Sequence, residues 1–172
     1  MLLTESKRHK CFISYHHADQ GEVDWFVKHY SNFHNVLVHR LLGMTDDVIN
    51  SADTDYVMRR IRELYVKDST VTIVLLGQCT WARRYVDWEI QSSLAYGNGL
   101  VGVVLPSCSG SLPGWPPRLT ANVESGYAKV YRGGALTPDS LTEIIHEAFE
   151  NRRNSGLIRN PRERFGYNRS CP

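Results

Sequence analysis

The sequence predicts an α/β fold, a parallel five-stranded sheet with helices on both faces, and three observations carry that prediction. Apolar, β-favouring runs alternate five times with stretches whose apolar residues recur at helical spacing. The run Thr70–Leu76 (TVTIVLL) is apolar on both alternating faces, as a central strand covered from both sides requires. The chain has 172 residues and 42% hydrophobic content, enough to fill a single core. The strand order expected is 2-1-3-4-5. That order places a ligand beyond the carboxyl ends of the strands, between the loops that follow strands one and three.

The first strand is read at Lys10–Tyr15 (KCFISY), ending in the polar loop His16–Gln20. Val23, Phe26, Val27 and Tyr30 then share a helical stripe over Gly21–Phe33. Val36–Leu42 is the second strand, and the polar stretch Thr45–Asp55 is a loop. Val57, Ile61, Leu64 and Tyr65 mark the next helix. After the central strand, Gly77–Thr80 turns into a helix over Trp81–Tyr96, with Val86, Ile90, Ser93 and Leu94 at core spacing. Leu100–Leu105 is the fourth strand. Pro106–Arg118 holds four of the seven prolines and reads as an irregular loop. Ala128–Tyr131 is the last strand, and Thr137-Pro138-Asp139-Ser140 opens a final helix with a hydroxyl cap and a first-turn proline.

Several function classes are excluded by composition and motif. A formal charge of +2 is too small to predict nucleic-acid binding. The longest apolar runs fall far short of the roughly 20 residues of a membrane helix, and MLLTESKRHK lacks the apolar stretch of a secretory signal. No membrane partner and a cytoplasmic location are therefore expected. Cys11, Cys79, Cys108 and Cys171 show no metal-ligand spacing, so neither a zinc site nor a disulfide framework is predicted. GxGxxG after the first strand, GxxxxGK[ST] and GxSxG are all absent, and the third strand ends without a phospho-accepting aspartate.

Two places at the expected switch point carry polar chemistry. His16, His17 and Asp19 line the first loop, but adjacent histidines do not converge easily on one ion, so no metal is expected. Glu89 lies in the helix after the central strand, flanked by Trp81, Tyr85 and Trp88. A carboxylate among rings suits an acid in a dry site. Spacing alone supports equally a surface ion pair of Glu89 with Arg83 or Arg84, with the tryptophans packing the core.

The stretches KCFISYHHAD, RRIRELYVKDSTVTIVLLGQCTWARRYVDWEIQSSL and LVGVVLP resemble, in order and spacing, the TIR-like proteins of the Thoeris ThsB antiphage-defence family. The tail SGLIRNPRERFGYN extends the resemblance, and RRYVDWEI is its most specific part. The resemblance implies a flavodoxin-like (TIR-like) fold over residues 10–153, with an N-terminal extension at 1–9 and a basic tail at 154–172 packed on or near the domain. It implies NAD as substrate, no further cofactor, and Glu89 as the catalytic acid residue. Ser14, Tyr15, His16 and His17 become substrate contacts, together with Asp46 in the loop after the second strand and Arg84 and Trp88 beside Glu89. Cleavage at the nicotinamide glycosidic bond, as an NAD glycohydrolase or ADP-ribosyl cyclase, and a cyclic ADP-ribose-type signal to a companion effector follow from the resemblance. So does a phage-derived trigger, while a homo-oligomer stays open because the loop Met44–Asp53 (MTDDVINSAD) does not carry the assembly contacts of animal and plant TIR domains. Two other readings stay open: a TIR-like adaptor that binds without turnover, and a nucleoside glycosyl transferase with a carboxylate nucleophile.

Overall fold

The computed structural model describes residues 8–33, 36–41, 52–61, 64, 66–108, 110 and 112–172. Its centre is a parallel sheet of strands β1 (His9–Ser14), β2 (Leu37–Leu41), β3 (Val71–Leu76), β4 (Gly99–Val104) and β5 (Lys129–Arg132), in the order β2-β1-β3-β4-β5. β3 pairs with β1 on one side and β4 on the other, and all six of its residues are buried. Side-chain alternation along this strand builds two cores. Val71, Ile73 and Leu75 face a cluster completed by Val23, Phe26 and Val27 of helix α1 (Gln20–Val27) and by Leu141 and Ile145 of the C-terminal helix. Val74 and Leu76 face the opposite cluster with Val86, Ile90, Leu94 and Leu119.

The other helices are α2 (Thr54–Ile61), α3 (Arg84–Ala95), α4 (Pro117–Glu124) and α5 (Pro138–Asn151). α5 begins as the sequence indicates, with Thr137 and Ser140 forming a reciprocal capping box ahead of the core residues Leu141 and Ile145. It lies so close to the sheet that a Cβ on Gly99 would come within 2.3 Å of the Ala148 carbonyl oxygen. Several boundaries differ from expectation. The first helix ends at Val27 and continues as a π-helix over Lys28–Phe33. The loop expected to Asp55 gives way to helix at Thr54. The helix expected from Trp81 begins at Arg84, after a 3-10 turn at Thr80–Ala82. The irregular segment expected to Arg118 already turns helical at Pro117. A proline at a helix's first position lacks an N–H that would have no partner anyway, so the Pro116-Pro117 pair hides a helix start.

The expectation of no disulfide is also corrected. Cys79, in the turn after β3, bonds to Cys171 in the tail across a sequence separation of 92. Nothing in the local spacing signals a pair that distant; tertiary folding alone brings the two together. Cys11 is a buried free thiol and Cys108 is a partly buried one.

The tail is tied to the domain by a buried ion pair. Arg118 of α4 donates from Nε to Asp87 of α3 at 3.0 Å, and neither side chain is more than 1% exposed. The rest of the guanidinium bonds Asn160 Oδ1 at 2.9 Å and the Arg162 carbonyl at 2.9 Å. The second Asp87 oxygen accepts the Phe165 N–H at 2.8 Å. Removing one member strands the other as an uncompensated buried charge. Asp87→Ala is expected to cost about 3–5 kcal/mol in urea unfolding. Arg153→Ala, at an exposed pair with Glu150, is expected to cost less than about 1 kcal/mol. Similar small losses for both would refute the assigned role of the pair.

Candidate active site

The carboxyl end of β1 meets α3 at a single polar contact inside an apolar layer. Ser14 alternates with Cys11 and Ile13 and so shares a face with Phe12, which packs with α2 and Trp88. That face looks at α3, where the Ser14 hydroxyl donates to Glu89 Oε2. Ser14 is wholly buried and Glu89 is 4% exposed. One turn later Ser93 donates to the Glu89 carbonyl at 2.8 Å and lies 2.7 Å from the Thr72 hydroxyl of β3. Glu89 and Ser93 thus form a polar seam between the Val86–Ile90–Leu94 stripe and Trp88.

Burial penalises the charged form and pushes the Glu89 carboxyl up to about 8, partly opposed by the Ser14 hydrogen bond. At neutral pH this group is largely protonated. The alternative of a surface ion pair with Arg83 or Arg84 is therefore overturned. The Arg84 guanidinium instead lies over the rings of Tyr85 and Trp88, 5.0 and 5.3 Å from their centroids, and donates to the Tyr85 hydroxyl. Residues 84 and 88 share one helix face, whereas Glu89 is turned about 100° from it.

Trp88 does not form an open wall. It is buried among Phe12, Val57, Met58, Ile61 and Val66, and its indole N–H is spent on the Phe165 carbonyl at 2.7 Å. Tyr15 is likewise directed away from Glu89. Its ring packs against the cluster on the other side of the sheet and its hydroxyl donates to Gln20 at 2.8 Å, because it follows Ser14 in a two-residue alternation. Asp46 lies outside the described residues.

The loops after β1 and β3 touch each other. Asp19 lays its carboxylate on Gly77, where a Cβ would sit 2.1 Å from Oδ2, so any side chain here would have to push the Asp19 carboxylate aside. Thr80 closes the second loop by accepting the Gly77 N–H at 2.8 Å. Asp19 Oδ2 is buried with no hydrogen-bond partner among the described residues. Burial, then the neighbouring Glu22, raises the Asp19 pKa against the pull of His17. His16 is held neutral: burial, then the charges of His17 and Arg83, push it down to about 4. His17 is exposed and meets His16 edge-on at 4.6 Å. Among the described residues no group of His, Cys, Asp and Glu could hold a metal ion.

Two participants escape a reading by local pattern. Arg83 stands just before α3, acts electrostatically on His16, and donates to the Arg169 carbonyl of the tail at 3.0 Å. Asn168 caps α3 from 84 residues away, its Oδ1 accepting the Arg84 N–H at 3.0 Å. Only the Arg83-Arg84 pair was a visible signal, and it did not distinguish one from the other. The Gly77–Asp19 contact had no sequence signal beyond the glycine itself.

Ser14, His16, His17, Asp19 and the loop after β3 therefore gather at the sheet's carboxyl end, with Glu89 sealed beneath them. A buried carboxyl near neutrality, with one hydroxyl partner and charged groups above it, is an arrangement for acid-base or electrostatic work on a ligand. The family model described as Thoeris protein ThsB, TIR-like domain, matches residues 12–109, which run from β1 past the end of β4 and include these residues. No curated protein matches the chain.

The protonated state of Glu89 has a thermodynamic signature. Between its ordinary 4.5 and about 8 the native chain holds a proton that the unfolded chain has released. Stability contributed by this group is fully present below the lower value and is lost as pH rises through the upper one. Relative to Glu89→Gln, the wild type should lose up to about 1.4 kcal/mol per pH unit across that window. His16 shifts in the opposite sense in both proteins and cancels in the difference. Parallel stability curves from pH 5 to pH 8 would show that Glu89 is ionised in the fold.

Proposed function

The chain belongs to the Thoeris ThsB TIR-like domain family, and on that premise we propose that it is an antiphage-defence enzyme that cleaves NAD at the nicotinamide glycosidic bond through Glu89. The observation that carries this reading is the sealed Glu89–Ser14 pair at the switch point of a parallel sheet. The bond from ribose C1′ to the pyridinium nitrogen breaks with its electron pair going to that nitrogen, so nicotinamide leaves neutral. Positive charge then spreads over C1′ and the ring oxygen, and a carboxylate beside them stabilises it. The low-dielectric setting of Glu89 strengthens that interaction.

The same burial that makes Glu89 useful keeps it protonated in the free protein. NAD brings a cationic pyridinium, and an opposite charge at close range favours the ionised carboxyl. Substrate binding thus releases the proton to solvent and creates the charge the transition state needs. Ser14 donates to that carboxylate and orients it. If water captures C1′, the product is ADP-ribose and a proton is released. If a hydroxyl or a ring nitrogen of the same molecule captures C1′, a proton is likewise released and the product is a cyclic ADP-ribose. We favour the cyclic product, as a diffusible signal to a companion effector, with a phage-derived trigger switching activity on.

Liquid chromatography with mass spectrometry of NAD incubated with the protein and lysate of infected cells tests the reading. Wild type is expected to form nicotinamide and a cyclised ADP-ribose species, and Glu89→Gln to slow this by about 10²- to 10³-fold. No NAD-derived product from either would refute the enzyme reading in favour of an adaptor.

The pH dependence is a second check. kcat/KM reports the free protein, so it should climb about tenfold per pH unit and level off near pH 8. The break in kcat should fall lower, since the bound pyridinium favours the carboxylate. Ser14→Ala removes a hydrogen bond that favours ionisation and should move the kcat/KM break upward. Profiles flat from pH 6 to pH 9 in both proteins would rule out Glu89 as the charged group.

A further inference from the structure

The C-terminal segment Phe165–Cys171 crosses the head of α3 and ends on the loop after β3. Phe165 is a buried anchor, its N–H on Asp87 and its carbonyl on the Trp88 indole. Asn168 takes the Arg84 N–H, and Arg169 bonds the Ala82 carbonyl through its N–H at 2.8 Å and the Arg83 guanidinium through its own carbonyl. Cys171 closes the run covalently onto Cys79. Every one of these contacts falls between residues 79 and 88, on the loop and first helical turn that form one wall of the site. The same loop is pressed from the other side by Asp19 on Gly77.

We propose that residues 165–171 are a strap that holds the site shut, locked by the Cys79–Cys171 disulfide and released when a dithiol reduces it. Beyond Phe165, whose neighbours Gly166, Tyr167, Asn168, Arg169 and Ser170 are exposed, the strap has little apolar surface of its own to hold it down. Its outer half depends on a few hydrogen bonds and on the disulfide, which keeps the tail's last residues beside a loop far away in sequence. Both sulfurs belong to partly exposed residues, so a small thiol can reach them. One thiolate of the reductant attacks a disulfide sulfur and expels the other cysteine as thiolate. The reductant's second thiol then closes its own disulfide and expels the first cysteine. Two electrons pass to the protein, and both cysteines take up protons from solvent.

Release acts on the site through Arg83. Its guanidinium is shared between the Arg169 carbonyl and the neighbourhood of His16, so a freed strap returns that cation to the loop after β1. The Arg84 N–H at the head of α3 is freed with it. Loss of the Cys79 tether also lets the Gly77–Thr80 turn move off Asp19, loosening the contact between the loops after β1 and β3. The strap itself is a matter of contacts; only its effect on turnover rests on the NAD reading.

Trypsin cleavage of the full chain, and its NAD turnover in the presence of lysate of infected cells, each with and without dithiothreitol, test the lock. The strap carries its own cleavage point after Arg169, and Arg153 at the end of α5 is an internal control. Reduction is expected to speed cleavage after Arg169 about tenfold, with cleavage after Arg153 unchanged. Cys171→Ser without reductant should match the reduced wild type and should not respond to dithiothreitol. NAD turnover should rise by a similar factor in both, and Glu89→Gln should stay about 10²- to 10³-fold slower in either state. Equal cleavage after Arg169 in oxidised and reduced protein overturns the strap. So does faster cleavage with an unchanged, measurable turnover. Faster cleavage with no NAD-derived product in any form supports the strap and overturns the enzyme reading instead.

Discussion

The Arg118–Asp87 pair is the constraint on which the placement of α3 depends. A guanidinium offers five donors in a rigid plane, and here Nε and both terminal nitrogens are engaged by one carboxylate and two tail residues. This fixes α3 relative to α4 and to the tail at once. Asp87 and Glu89 are two residues apart and so point to opposite sides of the helix. Locking the Asp87 side outward against Arg118 therefore locks the Glu89 side inward against β1. The pair stands on the outer side of α3 from Glu89, yet it decides what Glu89 can touch.

Inward placement creates the chemistry. An ionised carboxylate taken from water into an apolar layer is costly, and one serine hydroxyl compensates only part of that. The group answers by holding its proton to about pH 8. On the proposed reading, the free protein is then a resting form with no charge beside the scissile bond, and the cationic substrate supplies the missing drive for ionisation. A more solvated glutamate would be charged already, but water would screen it from the developing cation. The polar seam of Ser93 and Thr72 behind Glu89 holds the helix without offering it a second donor on the carboxylate.

Periodic features were legible in the sequence and long-range ones were not. β3 announced itself as a run apolar on both faces, and the α3 stripe Val86–Ile90–Leu94 gave the helix its sheet-facing side. Glu89 stood out by its place in the helix after the central strand, among Trp81, Tyr85 and Trp88. Local pattern could not say whether it faced Arg84 or Ser14, since that depends on which of two neighbouring helix faces the tail covers. Trp88 looked like a wall because it is aromatic and adjacent to the acid, but a 100° step along the helix puts it in a separate core cluster. Pro116-Pro117 looked like a loop because proline reads as a breaker, whereas at a first helical position it is compatible with the fold. The Cys79–Cys171 bond joins two residues each of which, in its own neighbourhood, looks like an unremarked thiol.

The tail is where these threads join. Phe165 contributes its N–H to Asp87 and its carbonyl to Trp88, so the buried ion pair and the core tryptophan both lean on one backbone unit outside the strand–helix framework. Up to that residue the tail belongs to the domain: Asn160 and Arg162 saturate a buried guanidinium, and releasing them would leave a charge unpaired. After it, the chain runs exposed over the helix head to Cys171 and is held by contacts that water can replace. Phe165 is a single buried residue between exposed stretches at 161–164 and 166–170, and that anchor sets where a released tail would stop peeling. Its anchor keeps α3 seated with Glu89 on Ser14, while the segment beyond it is free to act on Arg83 and the Cys79 loop. A single tail can in this way secure the helix that carries Glu89 permanently and cover its head conditionally.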